Sequence, residues 1–213
     1  MRRVGRLHVI TDTALQSRFT HAELASLAIK GGADTVQYRQ KAGGVRQLLA
    51  EAAQVEGICR EAAVPLIVND RVDVAIAADA DGVHIGRDDF PIRLARQLLG
   101  PHRIIGGSAG SIEEARAGYE EGADYLGCGP IHATATKPDA GPAAGVDLVS
   151  AIARVVPLPL IAIGGVTEAD VDTLLGAGAH GIAVISAVCA AADPEEATRA
   201  LRRAIDAQVG GGV

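Results

Sequence analysis

Eight short apolar runs recur along the chain, and each is followed by a longer stretch with helical spacing. The runs are LHVIT, ADTVQYR, PLIVND, GVHIG, RIIGGSA, DYLGCGPI, LPLIAIGG and GIAVISAV. Apolar strands that alternate with helices are the pattern of a parallel sheet covered on its outer face. Eight such units fit a closed (β/α)8 barrel without remainder. The joins GGAD, EGAD and GAGAH suit the same plan, because glycine ends a helix and a small residue lets the chain turn into the next strand. An open doubly wound sheet is the competing arrangement; it would bring a GxGxxG turn after the first strand, and this sequence has none. No linker or low-complexity segment divides the chain, so residues 1–213 are expected to form one α/β domain, a single (β/α)8 TIM barrel, with 209–213 as a disordered tail.

A barrel of this kind carries its chemistry at the C-terminal ends of its strands. In TVQYRQK, side chains alternate across the strand, so Val36 and Tyr38 point one way while Gln37, Arg39 and Lys41 point the other. Asp70 and Asp89 follow the third and fourth runs, and neighbouring strands lie about 5 Å apart. The two carboxylates can face one hard cation such as Mg²⁺, which is commonly held by one or two protein carboxylates. They can equally cap the helices that follow. Arg39, Lys41 and Lys137 nearby weigh toward a ligand, because carboxylates and cations crowded at a barrel mouth cost desolvation unless something organises them. Asn69, Ser108, Thr134 and Thr136 fall at other strand ends. Gly164 and Gly165, with Ile185 and Ser186, fall where such barrels bind a phosphate monoester through backbone N–H groups; relief of crowding is the simpler use of the glycines. A metal–polyphosphate end, a monophosphate end and Gln37 left for a polar heterocycle together suggest two substrates joined with loss of pyrophosphate.

Composition narrows the partners. The formal net charge is −6, which disfavours a general role in coating nucleic acid or anionic membrane. With no Trp, two Phe and three Tyr there is no stacking platform for single strands. Cys59, Cys128 and Cys189 form no CxxC pair, so buried thiols in a reducing compartment are expected rather than disulfides or zinc. The apolar part of the N-terminus, Leu7 to Ile10, is too short for a signal-peptide core, and no run reaches the roughly 18–20 residues of a membrane span. A cytoplasmic protein acting on small molecules, with no nucleic-acid or membrane partner, is expected; a homodimer is left open.

The stretches VQYRQK, VNDRVDVAIAADADGVHIGRDD, GCGPIHATATK, AIGGV and AVISAV, in this order and spacing, resemble the thiamine-phosphate synthase family over almost the whole chain. The resemblance implies a (β/α)8 barrel that condenses 4-amino-2-methyl-5-hydroxymethylpyrimidine diphosphate with a thiazole monophosphate, using Mg²⁺ and releasing pyrophosphate. It implies that Gln37, Arg39, Lys41, Asn69, Ser108 and Lys137 hold the pyrimidine diphosphate, with Arg39, Lys41, Ser108 and Lys137 taking part in catalysis. Asp70 and Asp89 would ligate Mg²⁺, and Thr134, Thr136, Gly164, Gly165, Ile185 and Ser186 would bind the thiazole phosphate. It further implies early cleavage of the C–O bond to pyrophosphate, a chemistry without a general base. Three positions depart from the family pattern. His132-Ala133-Thr134 stands where Phe-Pro-Thr is usual, His8 replaces a common aromatic, and Asp88 precedes Asp89 in the acidic turn. His84 alternates with Val83 and Ile85 and is expected to face the interior in a hydrogen-bonded structural role. The alternatives are a thiazole tautomerase of the sister family, in which a His of the His132 loop moves a proton, and a non-catalytic thiamine-phosphate-binding protein.

Overall fold

The apolar runs become strands and the helical stretches pack outside them. The computed structural model describes residues 4–134, 136 and 141–210. In chain order it contains β1 (Leu7–Thr11), α1 (His21–Lys30), β2 (Thr35–Tyr38), α2 (Val45–Glu61), β3 (Leu66–Asn69), α3 (Val72–Ala77), β4 (Gly82–Ile85) and α4 (Ile92–Leu99). There follow β5 (Ile104–Ala109), α5 (Ile112–Glu121), β6 (Tyr125–Cys128), α6 (Gly145–Ala153), β7 (Leu160–Ile163), α7 (Val171–Gly176), β8 (Gly181–Val184), α8 (Ser186–Cys189) and α9 (Pro194–Gly210). The strands are all parallel, pair in sequence order and close where β1 meets β8, with His8 opposite Ala183. The architecture is therefore the (β/α)8 barrel expected from the eight-unit pattern.

Two details differ from the sequence reading. The four-residue helix α8 intervenes between β8 and α9, and its length hides it from any periodicity argument. Val209 and Gly210, expected in a disordered tail, form the end of α9; that tail's remaining residues, 211–213, lie outside the described ones. Local chemistry sets several boundaries. Thr20 and Glu23 form a reciprocal capping box at the start of α1, and Ser111 caps α5 by accepting from the Glu114 N–H. Gly122 ends α5 at φ 94°, a conformation that favours glycine.

Alternation along the strands separates two apolar regions. Outward residues such as Val9, Val36, Val68, Ile105, Leu126 and Ile182 pack beneath the helices. Inward residues Ile10, Ile67, Ile104, Tyr125, Ile161 and Ala183 fill the barrel itself. The Tyr125 ring needs room, and glycine supplies it: a Cβ at Gly106 would stand 2.2 Å from that ring. Gly82 and Gly181 make way for backbone instead, with the Ile104 carbonyl oxygen 2.0 Å and the Arg6 carbonyl oxygen 2.2 Å from where a Cβ would be. The three cysteines are buried and unbridged. Burial pushes the thiols of Cys59 and Cys128 up to about 12 and that of Cys189 up to about 11. Among the described residues no helix is long and apolar enough to cross a membrane.

A pair of glycine substitutions tests this packing by thermal denaturation. Gly106→Ala is expected to destabilise the barrel by about 1–3 kcal/mol, because the buried aromatic ring has nowhere to move. Gly57→Ala, in the middle of α2 with no atom within 4 Å of the new methyl group, is expected to stabilise it by about 0.5–1 kcal/mol.

Candidate active site

The C-terminal ends of the strands surround one cavity. Its floor is made by His8, Ile10, Gln37, Tyr125, Ile161 and Ala183. Tyr125 lies between two histidines, edge-on to His8 at a centroid distance of 5.4 Å and tilted against His84 at 5.5 Å. His84 Nδ1 is 3.1 Å from the Tyr125 hydroxyl and its Nε2 is 3.1 Å from Ser108 Oγ. His84 is thus the hydrogen-bonded interior residue that alternation suggests, and it fixes Ser108 at the cavity wall. Burial lowers the His8 pKa from 6.5 to about 4, overriding the pull of Asp34 and the Gly5 carbonyl in the other direction.

Alternation in β2 sends Tyr38 outward, where its hydroxyl donates to Glu51 Oε2 at 2.7 Å, and sends Gln37 and Arg39 to the cavity. Arg39 does not stand there alone. Its guanidinium is ion-paired with Asp12 just past β1, and both side chains are nearly buried. Asp12 is fixed in turn, because its Oδ1 accepts from the Ala14 N–H at 2.8 Å. Lys41 lies beyond the end of β2, half-exposed, and its ammonium bonds Asp70 Oδ2. Arg87, which lines the cavity after β4, is a further cation there and reaches Glu114 at 3.3 Å.

The two candidate metal ligands come together. Asp89 Oδ2 lies 2.3 Å, and Asp70 Oδ1 3.7 Å, from the point where a Gly86 Cβ would stand, so a side chain at Gly86 would fill the space between them. Neither aspartate caps a helix: the cap positions of α3 and α4 are Arg71 and Pro91, without side-chain cap bonds. Burial pushes the Asp70 carboxyl up, but Lys41, Asp89 and His84 together outweigh it and the net direction is down. Asp70 also has a left-handed backbone, φ 60°, and Asn69 Nδ2 donates to its Oδ2 at 2.6 Å. Its Oδ2 is therefore committed to protein donors, while Oδ1 turns toward Asp89. Two ionised carboxylates this close repel unless a cation or a proton sits between them, and an all-oxygen pair of this kind fits a hard divalent ion that keeps most of its water or phosphate ligands. Among the described residues no group of three or more His, Cys, Asp or Glu could hold a metal; the candidate set is these two.

The opposite side of the cavity is built from β6, β7 and β8. Gly164 and Gly165 have φ values of 98° and 67°, and a Cβ at Gly164 would meet Pro130 at 2.6 Å. Both line the cavity together with Thr134, Thr136, Ile185 and Ser186. Ser186 opens α8, in which the Val188 and Cys189 N–H groups donate to the Ile185 carbonyl at 3.1 and 2.8 Å. Lys137, expected near this loop, lies outside the described residues. His132 turns to the rim, where its Nε2 is 2.9 Å from Asp170 Oδ1, and it is about half-exposed. Asp170 also accepts from Thr167, so His132 braces the short 3-10 turn before α7.

Apart from Lys137 and Lys41, the site residues expected from sequence all line one cavity or, in the case of Asp89, adjoin it. Sequence reasoning missed Asp12, Arg87 and Tyr125. Asp12 carries a readable signal, a lone acid ending the first apolar run; Tyr125 begins an apolar run and resembles any core residue.

His8 makes stability depend on pH. Between pH 6.5 and about 4 the unfolded chain binds a proton that folded His8 does not, so stability falls on acidification through that window. His21, also lowered by burial, acts in the same direction. Urea denaturation is expected to show roughly 2 kcal/mol less stability at pH 5 than at pH 7, and a shallower dependence for His8→Phe.

Comparison with known proteins agrees with this geometry. Residues 7–188 match the family model for thiamine monophosphate synthase. The thiamine-phosphate synthase of Salinibacter ruber is 53% identical over 203 residues, spanning 95% of this chain and 89% of that protein. That of Chloroflexus aurantiacus is 51% identical over 197 residues, 92% of this chain and 91% of its own. The solved structure of a thiamine phosphate pyrophosphorylase from Pyrococcus furiosus superposes with a TM-score of 0.88 at 38% identity, covering 96% of this chain and 97% of that one. Identity at this level over a shared barrel leaves one assignment: the chain belongs to the thiamine monophosphate synthase family.

Proposed function

We propose that the protein is a thiamine-phosphate synthase, a transferase that joins hydroxymethylpyrimidine diphosphate to 4-methyl-5-(2-phosphoethyl)thiazole and releases pyrophosphate. The observation that carries this reading is the division of one cavity. Gln37, Arg39, Asn69, Asp70 and Ser108 come from β2 to β5, and Thr134, Thr136, Gly164, Gly165, Ile185 and Ser186 from β6 to β8.

On the first side, Arg39 and Lys41 meet the diphosphate, joined by Lys137, which follows Thr136 in the sequence, while Gln37, Asn69 and Ser108 orient the pyrimidine ring. Asp70 and Asp89 are the residues that would hold Mg²⁺. Bound there, the ion would draw off negative charge as pyrophosphate departs. Arg39 and Lys41 are already oriented by Asp12 and Asp70, so little reorganisation is needed when the leaving group develops charge. On the second side, the Gly164–Gly165 turn and the start of α8 offer backbone N–H groups to the thiazole phosphate, with Thr134 and Thr136 beside them. Holding both substrates in one cavity turns the coupling into an effectively unimolecular step. No side chain is required as a general base, and His84, with both nitrogens engaged, is not spared for that role.

The test is formation of thiamine phosphate from the two substrates, read by fluorescence after oxidation, with and without EDTA. EDTA-sensitive product is expected; no product from folded protein would reject the reading. Asp89→Ala is expected to lower turnover by a hundredfold or more at limiting Mg²⁺, on the scale of losing one charge-stabilising group, with the thermal transition retained. Unchanged activity would remove Asp89 from the ligand set. His132→Phe is expected to keep turnover within about tenfold, because the imidazole is turned to Asp170 at the rim and lies outside a step of the size that acid–base catalysis supplies.

A further inference from the structure

His8 borders the cavity but has no part in the roles above. It lies on β1 one inward-facing position below Ile10, which pairs with Gln37, and it is 1% exposed. Its Nε2 is 3.1 Å from the main-chain carbonyl of Gly5. A carbonyl oxygen only accepts, so Nε2 must carry the ring proton, and a neutral imidazole then has a bare acceptor at Nδ1. Burial keeps the ring neutral at physiological pH. Nδ1 makes no hydrogen bond to the described residues, yet the one buried side-chain nitrogen or oxygen among them lacking a partner is Nε of Arg202. Nδ1 is therefore open, and the space that His8 adjoins is the cavity floor.

We infer that His8 Nδ1 is the fixed acceptor at the cavity floor that reads an N–H donor on the heterocyclic substrate, the exocyclic amine of the aminopyrimidine. The identity of that donor rests on the function proposed above. Gln37, on the same floor, presents both a donor and an acceptor and can turn its amide to suit the ligand. His8 cannot adapt, because the Gly5 carbonyl fixes its tautomer and Tyr125 packs edge-on to its ring. A site with an unpaired acceptor rejects a ligand that lacks the matching donor. His8 is thus a specificity residue, where a phenylalanine would offer only packing.

The experiment uses the unaltered protein with ¹⁵N-labelled histidine. The free protein is expected to show His8 as the Nε2–H tautomer with an unprotonated Nδ1. The Nδ1 resonance is expected to move upfield on adding the aminopyrimidine diphosphate without thiazole, and to stay in place with an analogue whose amine is replaced by methyl. An Nδ1–H tautomer, or an Nδ1 signal that ignores the amine, would overturn the inference. In parallel, His8→Phe is expected to weaken binding of the aminopyrimidine diphosphate about tenfold, the scale of one lost buried hydrogen bond, while leaving binding of the methyl analogue and of the thiazole phosphate unchanged. Equal loss for both pyrimidines would mean packing alone and would also overturn it. His8→Leu replaces the Phe variant in the same comparison if that variant does not fold. Unaltered protein that makes no thiamine phosphate would overturn the functional reading and this occupant with it. Active protein with an unmoved Nδ1 would overturn the His8 assignment alone.

Discussion

Closure of the eight strands is the constraint on which everything else rests. Once β1 bonds to β8 the interior has a fixed cross-section, and inward side chains must share it. The sequence meets that limit by opposing large and small residues: Tyr125 lies over Gly106, and the His84 ring edge comes within 3.0 Å of where a Gly127 Cβ would be. Close packing below the Tyr125 layer leaves the open space at the C-terminal ends. A ligand cavity with His8 and Tyr125 at its floor and His84 beside them follows from that arrangement.

Electrostatics at the mouth follow a pairing rule. Arg39 is held by Asp12, Lys41 by Asp70 and Arg87 by Glu114. Pairing a cation that is out of bulk water offsets its desolvation cost. It also gives each cation a defined direction before any anion arrives. Asp70 is the shared member, bonded to Lys41 and Asn69 through one oxygen and turned toward Asp89 with the other. A single carboxylate thereby ties the position of the cation to that of the candidate metal.

What could be read from the sequence divides along physical lines. Period-two alternation placed Gln37, Arg39 and Tyr38 on their observed faces, since strand geometry permits nothing else. The count of eight strand–helix units gave the closed barrel for the same reason. Partners across the fold were another matter: Asp12 and Arg39 are 27 positions apart, and pairing of that kind depends on how side chains leave the strand ends. The reading of Asp70 and Asp89 as helix caps was equally open in sequence terms. It is settled only by the backbone, which puts Arg71 and Pro91, and neither aspartate, at the cap positions of α3 and α4. The tautomer of His8 is not legible in the sequence, because the bond that fixes it comes from Gly5, a carbonyl with no signature there.

The seam between β1 and β8 also bears on how the molecule comes into being. His8 and Ala183 pair across almost the whole described chain, and contacts of such separation form slowly because loop closure must precede any gain from them. Asp12 and its partner Arg39 stand on one side of that seam, and Ile185 and Ser186 on the other. During synthesis the seam therefore stays open until the eighth strand is available, and its closure completes the wall of the cavity.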